Sequence, residues 1–474
     1  VSLGNYRCWL LAVALLAGAL PGCRRGGDIR KASAPPGAPI LLFGADGFEW
    51  SVALPMIRQG RLPTIASLME RGTCGLLTTM NPTSSPIIWT SVATGKTMDK
   101  HGINDFVYRT PSNPLELNLF TGGDRQTKAI WNIMTDYDRR VGVVGWWMTF
   151  PAEPINGVMV AQTNTIDQIN TLYGQHIWKG SLRPGLKGQV YPPQRQKEMM
   201  QILLSCDRNL PTLTEEIFGT FKYPPSELTR RLWSNCQWAF RADATYIQIA
   251  ERLIREENRP ELLAVYMGGP DVIGHRYWRY MYPDLYEHRP TDQELEDYRD
   301  IITQYYAYTD ACLARLLQAY GTEVTVILAS DHGMIPLNTD EPFDPDNVPR
   351  QVNSAGHPGK LKPPGMIVLA GPRIRHTPLP KPVHQLQKDD LPVVCSIFDI
   401  TPTILPLMGI PVGEDMDGQS VLQVIDPGWI KKCPVRTVGS HDTVAWLEAR
   451  PKTKHQSLDK DVRLQQLRDL GYIE

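Results

Sequence analysis

The sequence has no excess of charge: 49 Lys and Arg face 50 Asp and Glu across 474 residues, a formal net charge of −1. That balance removes the electrostatic basis for gripping nucleic acid. Eight cysteines are present without a CxxC pair, which excludes a zinc site built from paired thiolates. There is no internal repeat, so a solenoid is excluded too. The apolar run Trp9–Leu20 is too short to span a bilayer. What the chain does have is 40 Pro, 38 Gly and 42% hydrophobic residues, the composition of a loop-rich globular protein. Its length suits one large domain with insertions, or two domains.

The run Trp9–Leu20 has the length of a signal-peptide core, with Arg7 before it and Leu20-Pro21-Gly22-Cys23 after it. That ending resembles a bacterial lipobox. Residues 1–23 are therefore expected to be a signal peptide, with Cys23 lipidated as the membrane anchor of an exported chain facing the periplasm or cell exterior. Residues 24–38 read as a polar, Pro/Gly-rich tether. An exported compartment permits disulfides, and Cys206 with Cys236 is the pair to consider. Cys312 and Cys395 lie in apolar contexts and read as buried thiols.

Short apolar runs such as "PILLFGADG", "VGVVGWW", "LLAVYMGG" and "VTVILASDHG" alternate with amphipathic stretches such as "ATYIQIAERLIREE". Buried strands alternating with helices predict an α/β fold with a largely parallel central sheet. In such sheets function gathers at the carboxyl ends of strands. Three of these runs finish on acids: Asp46, Asp271 and Asp331. Between 162 and 238 the alternation fails, and the segment reads as an inserted cap. Residues 426–474 read as a peripheral tail, leaving 39–425 as the main domain.

Asp271 and His275 are four residues apart, on one face if that segment is helical. Asp331-His332 is a second acid–imidazole pair, and His357 sits in the loop "NSAGHPGK". Three acids and three imidazoles make an oxygen-plus-nitrogen ligand set for two zinc-like ions. Ser84 and Ser85 precede Pro86 and an apolar stretch, the pattern of a helix N-terminus. A hydroxyl there either caps the helix or serves as a nucleophile. The site is expected on a surface-facing strand-to-helix turn.

The ordered segments "GADGFEW", "SSPIIWTSVATG…KHGINDF", "GGPDVIGHRYW", "SDHGM" and "GHPG" resemble the alkaline phosphatase superfamily, most closely its type I phosphodiesterase/nucleotide pyrophosphatase branch. "DITPTILPLMGIPVGEDMDGQS" resembles the closing segment of that superfamily, so the likeness spans roughly 39–422. It implies an alkaline-phosphatase-like three-layer sandwich and hydrolysis of a small phosphate ester, in the first instance a diester. It also implies two divalent ions, most simply Zn2+: one on Asp271, His275 and His357, the other on Asp46, Ser85, Asp331 and His332. Ser85, placed by counting back from Thr94-Gly95, takes the nucleophile position. The family's Asn that bonds the phosphoryl oxygen is replaced here by Phe106, with Asn104 two residues earlier. His101 and Asp105 lie nearby in sequence without an assigned role.

Other readings stay open on the same fold. A sulfatase needs Arg where "SSPII" has Ile88. A phosphomonoesterase uses the same ligands. A noncatalytic lipoprotein scaffold has no need of seven convergent metal-site residues. The aromatic stretch "HRYWRYMYPDLYEH" could stack a base or pack a lipid or glycan head group, or form core.

Overall fold

The computed structural model describes residues 38–110, 113–162, 182–183, 185–340 and 353–449. The signal peptide, Cys23 and nearly all of the tether lie outside the described residues. Nine strands form one sheet. In chain order they are β1 (Ile40–Ala45), β2 (Thr73–Thr78), β3 (Val141–Val144), β4 (Gly157–Val160), β5 (Val190–Tyr191), β6 (Leu262–Met267), β7 (Thr325–Ala329), β8 (Gly365–Ala370) and β9 (Val393–Ser396). Their spatial order is β9-β2-β8-β7-β1-β6-β3-β4-β5. All run one way except β8 and β5, which pair antiparallel with their neighbours.

Side chains alternate across the sheet as the two-residue period of a strand requires. Leu41, Phe43 and Ala45 of β1 join one core, Ile40 and Leu42 the other. The helices, in chain order, are α1 (Trp50–Arg58), α2 (Pro63–Arg71), α3 (Ser85–Thr94), α4 (Met98–His101), α5 (Ile130–Asp136), α6 (Gln196–Phe218), α7 (Glu227–Ile254), α8 (Gly269–Met281), α9 (Asp292–Tyr298), α10 (Ile301–Tyr320), α11 (Ile400–Leu407), α12 (Pro427–Lys432) and α13 (Val444–Ala449). Buried residues of α1, α2, α7, α8 and α10 fill the first core, and those of α3, α5 and α11 the second. The result is a mixed α/β sandwich of three layers.

Two stretches depart from the sequence reading. The expected cap boundary at Trp238 falls inside the 28-residue helix α7, and α6 before it is a 23-residue helix. Met199, Leu203 and Phe218 carry the apolar face of α6 into the first core. Pro211 and the many charges around it hide that face in the sequence. The tail is docked through residue 449. Thr437–Val438 pairs with Val412–Gly413, and Asp442 forms an ion pair with buried Lys96 at 2.7 Å. Cys206 and Cys236 are buried thiols not joined to each other, and none of the six described cysteines forms a disulfide.

α7 also anchors the turn leading into α8. Asp243, fully buried, accepts hydrogen bonds from the Gly268 and Gly269 amides (3.0 and 2.9 Å) and from the Tyr305 hydroxyl (2.7 Å). Burial pushes this carboxyl up to about 7, and the three donors pull against that shift. Asp243→Asn replaces one acceptor with an N–H₂ facing a donor and should cost about 2–4 kcal/mol of stability. Tyr305→Phe should cost less, about 1 kcal/mol. Urea unfolding measures both; an Asp243→Asn midpoint equal to that of the unaltered protein refutes the anchor.

Candidate metal centre

Every strand that matters here ends at the same edge of the sheet. Asp46 follows β1, and Asp271 lies in the first turn of α8 just after β6. Asp331 and His332 follow β7. His357 arrives in the loop before β8, which runs opposite to β7 and so begins at that edge. Ser85 opens α3, after β2.

The turn after β1 is tight for a reason. Gly47 has φ +62, and a Cβ there would lie 2.9 Å from the Asp271 Cα, so only glycine lets Asp46 and Asp271 approach. The Gly47 amide donates to Asp331 Oδ1 at 3.2 Å, drawing in the third acid. Two residues before Asp46, within β1, a Cβ on Gly44 would meet the Trp89 ring at 2.8 Å. The bare backbone lets that indole lie over the strand and donate from Nε1 to Asp46 Oδ2 at 3.0 Å.

His332 Nε2 stands at the centre, 3.4 Å from both Asp46 Oδ1 and Asp331 Oδ2 and 4.0 Å from Asp271 Oδ1. Asp271 Oδ1 is 3.3 Å from His275 Nε2 and 3.9 Å from His357 Nε2. The His332 and His357 rings stack at 3.6 Å. Two groups have ligand spacing: Asp271 with His332 and His357, and Asp46 with Asp331 and His332. His332 belongs to both, and His275 reaches the first through Asp271.

Most of these residues have one atom tied and one atom free. Asp46 Oδ2 accepts from Tyr266 Oη (2.6 Å) as well as from Trp89. His275 Nδ1 faces the Ala355 carbonyl at 2.7 Å and His332 Nδ1 the Gly333 carbonyl at 3.1 Å, contacts that call for the Nδ1–H tautomer and a lone pair on Nε2. The opposite atoms, Asp46 Oδ1, Asp271 Oδ1, Asp331 Oδ2, His275 Nε2 and His332 Nε2, are buried without a hydrogen-bond partner. So are both ring nitrogens of His357 and the Ser85 hydroxyl. Each residue of the seven thus offers at least one orphaned donor atom. Buried polar atoms are rarely left so, and a divalent cation fits this oxygen-and-nitrogen set.

The charges tell the same story. Burial, with repulsion from Asp271, pushes Asp46 up to about 7. Burial and the neighbouring carboxylates raise Asp331 well above the usual range. Burial opposes ionisation of Asp271 too, yet His275, His357 and His332 together hold it below the ordinary value. Burial lowers His332 to about 4 and, with the repulsion of His332, depresses His357. Burial opposes charge on His275 as well, but the adjoining Asp271 carboxylate raises it above the ordinary imidazole range. Neutral His332 and His357 beside crowded, mutually repelling acids are the state that cation binding relieves.

The structure revises several local expectations. Ser85 is fully buried, not surface-facing. Ser84 is the N-cap residue but its side chain caps nothing, and its hydroxyl is also unpartnered. His101 is structural: its Nδ1 accepts from the Ile103 amide at 3.1 Å, so Nε2–H faces Ser91 Oγ at 3.1 Å. Asp105 accepts from the Phe106 amide at 2.6 Å, and Asn104 is exposed. Tyr277, Trp278, Tyr280 and Tyr286 are buried, with Tyr277 and Tyr280 packed on Tyr298. The aromatic wall beside Asp46 comes instead from Trp89, Phe106, Trp147 and Tyr266. Its sequence signal was the pair of tryptophans closing "VGVVGWW" at a strand's carboxyl end.

No curated protein sequence matches the chain. Among solved structures, human ectonucleotide pyrophosphatase/phosphodiesterase 5 is 13% identical with a TM-score of 0.44, the match covering 82% of this chain and all of that one. A 2-O GAG sulfatase is 12% identical with a TM-score of 0.43, over 85% of this chain and 76% of that one. A phosphonoacetate hydrolase from Sinorhizobium meliloti 1021, solved with phosphonoformate, is 16% identical with a TM-score of 0.37. That match covers 64% of this chain and 57% of the hydrolase, so the chain spans little more than half of that protein's length. The sequence model of the type I phosphodiesterase / nucleotide pyrophosphatase family matches residues 40–389, stopping short of the C-terminal segment from Asp399. With most of its length inside that match and the ligand set at the sheet edge, the chain belongs to the type I phosphodiesterase / nucleotide pyrophosphatase family.

Proposed function

We propose that this protein hydrolyses small phosphate esters, diesters in the first instance, with Ser85 as nucleophile and two zinc ions held by the seven residues named above. The observation that carries the reading is the orphaned atom on each of those residues, all buried at one sheet edge. Asp271, His275 and His357 would hold one ion and Asp46, Ser85, Asp331 and His332 the other. When bound, the ions supply Lewis acidity, stabilising oxyanions and lowering the pKa of a hydroxyl. Three carboxylates and the Ser85 alkoxide would together balance the charge of two divalent ions.

The chain's own part is placement. The N-terminus of α3 aims its partial positive charge at Ser85, favouring the alkoxide over the alcohol. The Ser85 oxygen attacks phosphorus in line, the P–O bond to the leaving group breaks and that alkoxide takes up the proton Ser85 gave up, leaving a seryl phosphodiester that keeps the second ester group. Water then cleaves the bond between phosphorus and the Ser85 oxygen, one of its protons returns to Ser85, and the monoester departs with net retention at phosphorus. Burial keeps bulk water away from the first step. Export and lipid anchoring at Cys23 are part of the proposal and rest on the sequence; among the described residues no helix is long and apolar enough to cross a membrane.

Elemental analysis of purified protein should find about two equivalents of zinc per chain. Well under one equivalent, with no activity restored by added zinc, contradicts the metal assignment. Ser85→Ala should cut diesterase turnover by about 10³-fold or more while leaving stability nearly unchanged, because the lost hydroxyl has no partner to forfeit. Ser84→Ala should do far less; the reverse ranking means that the nucleophile is Ser84, and two fully active variants rule out a covalent path. Cys23→Ala should move the protein from membrane to soluble fractions, and unchanged membrane association defeats the anchor.

A further inference from the structure

We propose that the Trp147 indole N–H donates a hydrogen bond to a non-bridging oxygen of the phosphoryl group undergoing transfer. This inference rests on the hydrolase reading above. Trp147 follows β3, at the edge where Asp46, Asp271 and Asp331 emerge. The side chain is buried, 7% exposed, and its Nε1 has no partner. Buried indole N–H groups ordinarily find an acceptor, so an orphaned one calls for an acceptor brought by a ligand.

Its neighbours place it beside the reacting centre. The Trp147 ring meets Phe106 edge-on at 5.5 Å and Tyr266 at 6.2 Å. Tyr266 in turn donates to Asp46 Oδ2, the same oxygen that Trp89 Nε1 reaches. Trp147 therefore stands one ring away from a metal-site carboxylate, on the face of the sheet that carries α3 and Ser85. Of the four aromatics in this wall, it alone has a donor to spare. Phe106 carries no donor on its side chain, and the Tyr266 hydroxyl and Trp89 N–H are committed to Asp46. Other donors near the "HGINDF" turn are spent or turned away: His101 is bonded to Ser91, and Asn104 is exposed.

The chemistry asks for such a group. Negative charge on the non-bridging oxygens must be met by fixed dipoles, and a neutral N–H in a dry apolar wall meets it without reorganising. An indole is also rigid and, donating only, cannot compete for the ions as a carboxamide oxygen could.

The test compares Trp147→Phe, which keeps an aromatic ring and removes the N–H, with Trp147→Ala. On zinc-loaded protein with bis(4-nitrophenyl) phosphate, Trp147→Phe should lose about 10²-fold in kcat with KM little changed, the scale for one oxyanion donor. Orthovanadate binding by titration calorimetry should weaken about 10-fold, while zinc content and urea unfolding stay as in the unaltered protein. A phosphorothioate diester, with sulfur as the poorer acceptor, should narrow the gap between the unaltered protein and Trp147→Phe. Full kcat and vanadate affinity in Trp147→Phe, with only Trp147→Ala impaired, makes the ring a wall and overturns this inference alone. An unaltered protein that holds zinc yet neither cleaves the diester nor binds vanadate overturns the hydrolase reading, and this inference with it.

Discussion

The repulsion among Asp46, Asp271 and Asp331 is the constraint around which this structure is organised. Three buried carboxylates point their unpartnered oxygens toward one small volume, where His332 Nε2 lies within 4.0 Å of all three. Taking such charges out of water costs several kcal/mol each unless something compensates them. Hydrogen bonds to the remaining oxygens offset part of that cost. Trp89 and Tyr266 hold Asp46, and the Gly47 amide holds Asp331. Among the described residues no lysine or arginine pairs with these three acids, so the free oxygens are left for cations.

The supporting layer shows what the arrangement demands of the rest of the chain. Glu49, buried beneath the site, accepts from the Ser51 amide at the start of α1 and from the Met334 amide beyond His332. It also pairs with Lys388, joining the β1 and β7 turns to the far end of the family match. The Glu49 amide donates to Tyr306, whose ring stacks on Phe48 at 3.9 Å. Asp243 does comparable work for the turn that presents Asp271. Rigid backbone turns, each tied by a buried carboxylate, set the ligand directions before any ion arrives.

What was legible in the sequence was local. Asp46, Asp271 and Asp331 each sit at or just past the end of an apolar run, and the strand period alone locates them at a carboxyl edge. His275 follows from helical spacing. His357 carried no signal alone and became readable only beside the other five. The illegible contacts are long in sequence: Trp89 and Tyr266 lie 43 and 220 residues from the Asp46 they hold, and Glu49 lies 285 from Met334. Whether the Tyr/Trp run after His275 forms core or a ligand surface stays open in the sequence, because composition does not say which face of α8 meets Tyr298 and which meets solvent. Ser85 looked exposed because an N-cap pattern fixes a backbone position, not the protein packed over it.

The two faces of the sheet divide the labour at that edge. The face bearing α8 contributes Asp271 and His275, with His357 edge-on to His275 and stacked on His332. The face bearing α3 contributes Ser85 and the wall of Trp89, Phe106, Trp147 and Tyr266. Asp46, Asp331 and His332 stand on the strand ends between them. One consequence is that Asp46 belongs to both halves: its Oδ1 faces the ligand cluster while its Oδ2 is held by the aromatic wall. Two donors on Oδ2 draw charge away from Oδ1 and weaken its hold on a cation, but they fix its direction. A site that must both bind ions and turn over needs fixed direction more than maximal affinity. The buried wall beside Asp46 provides it.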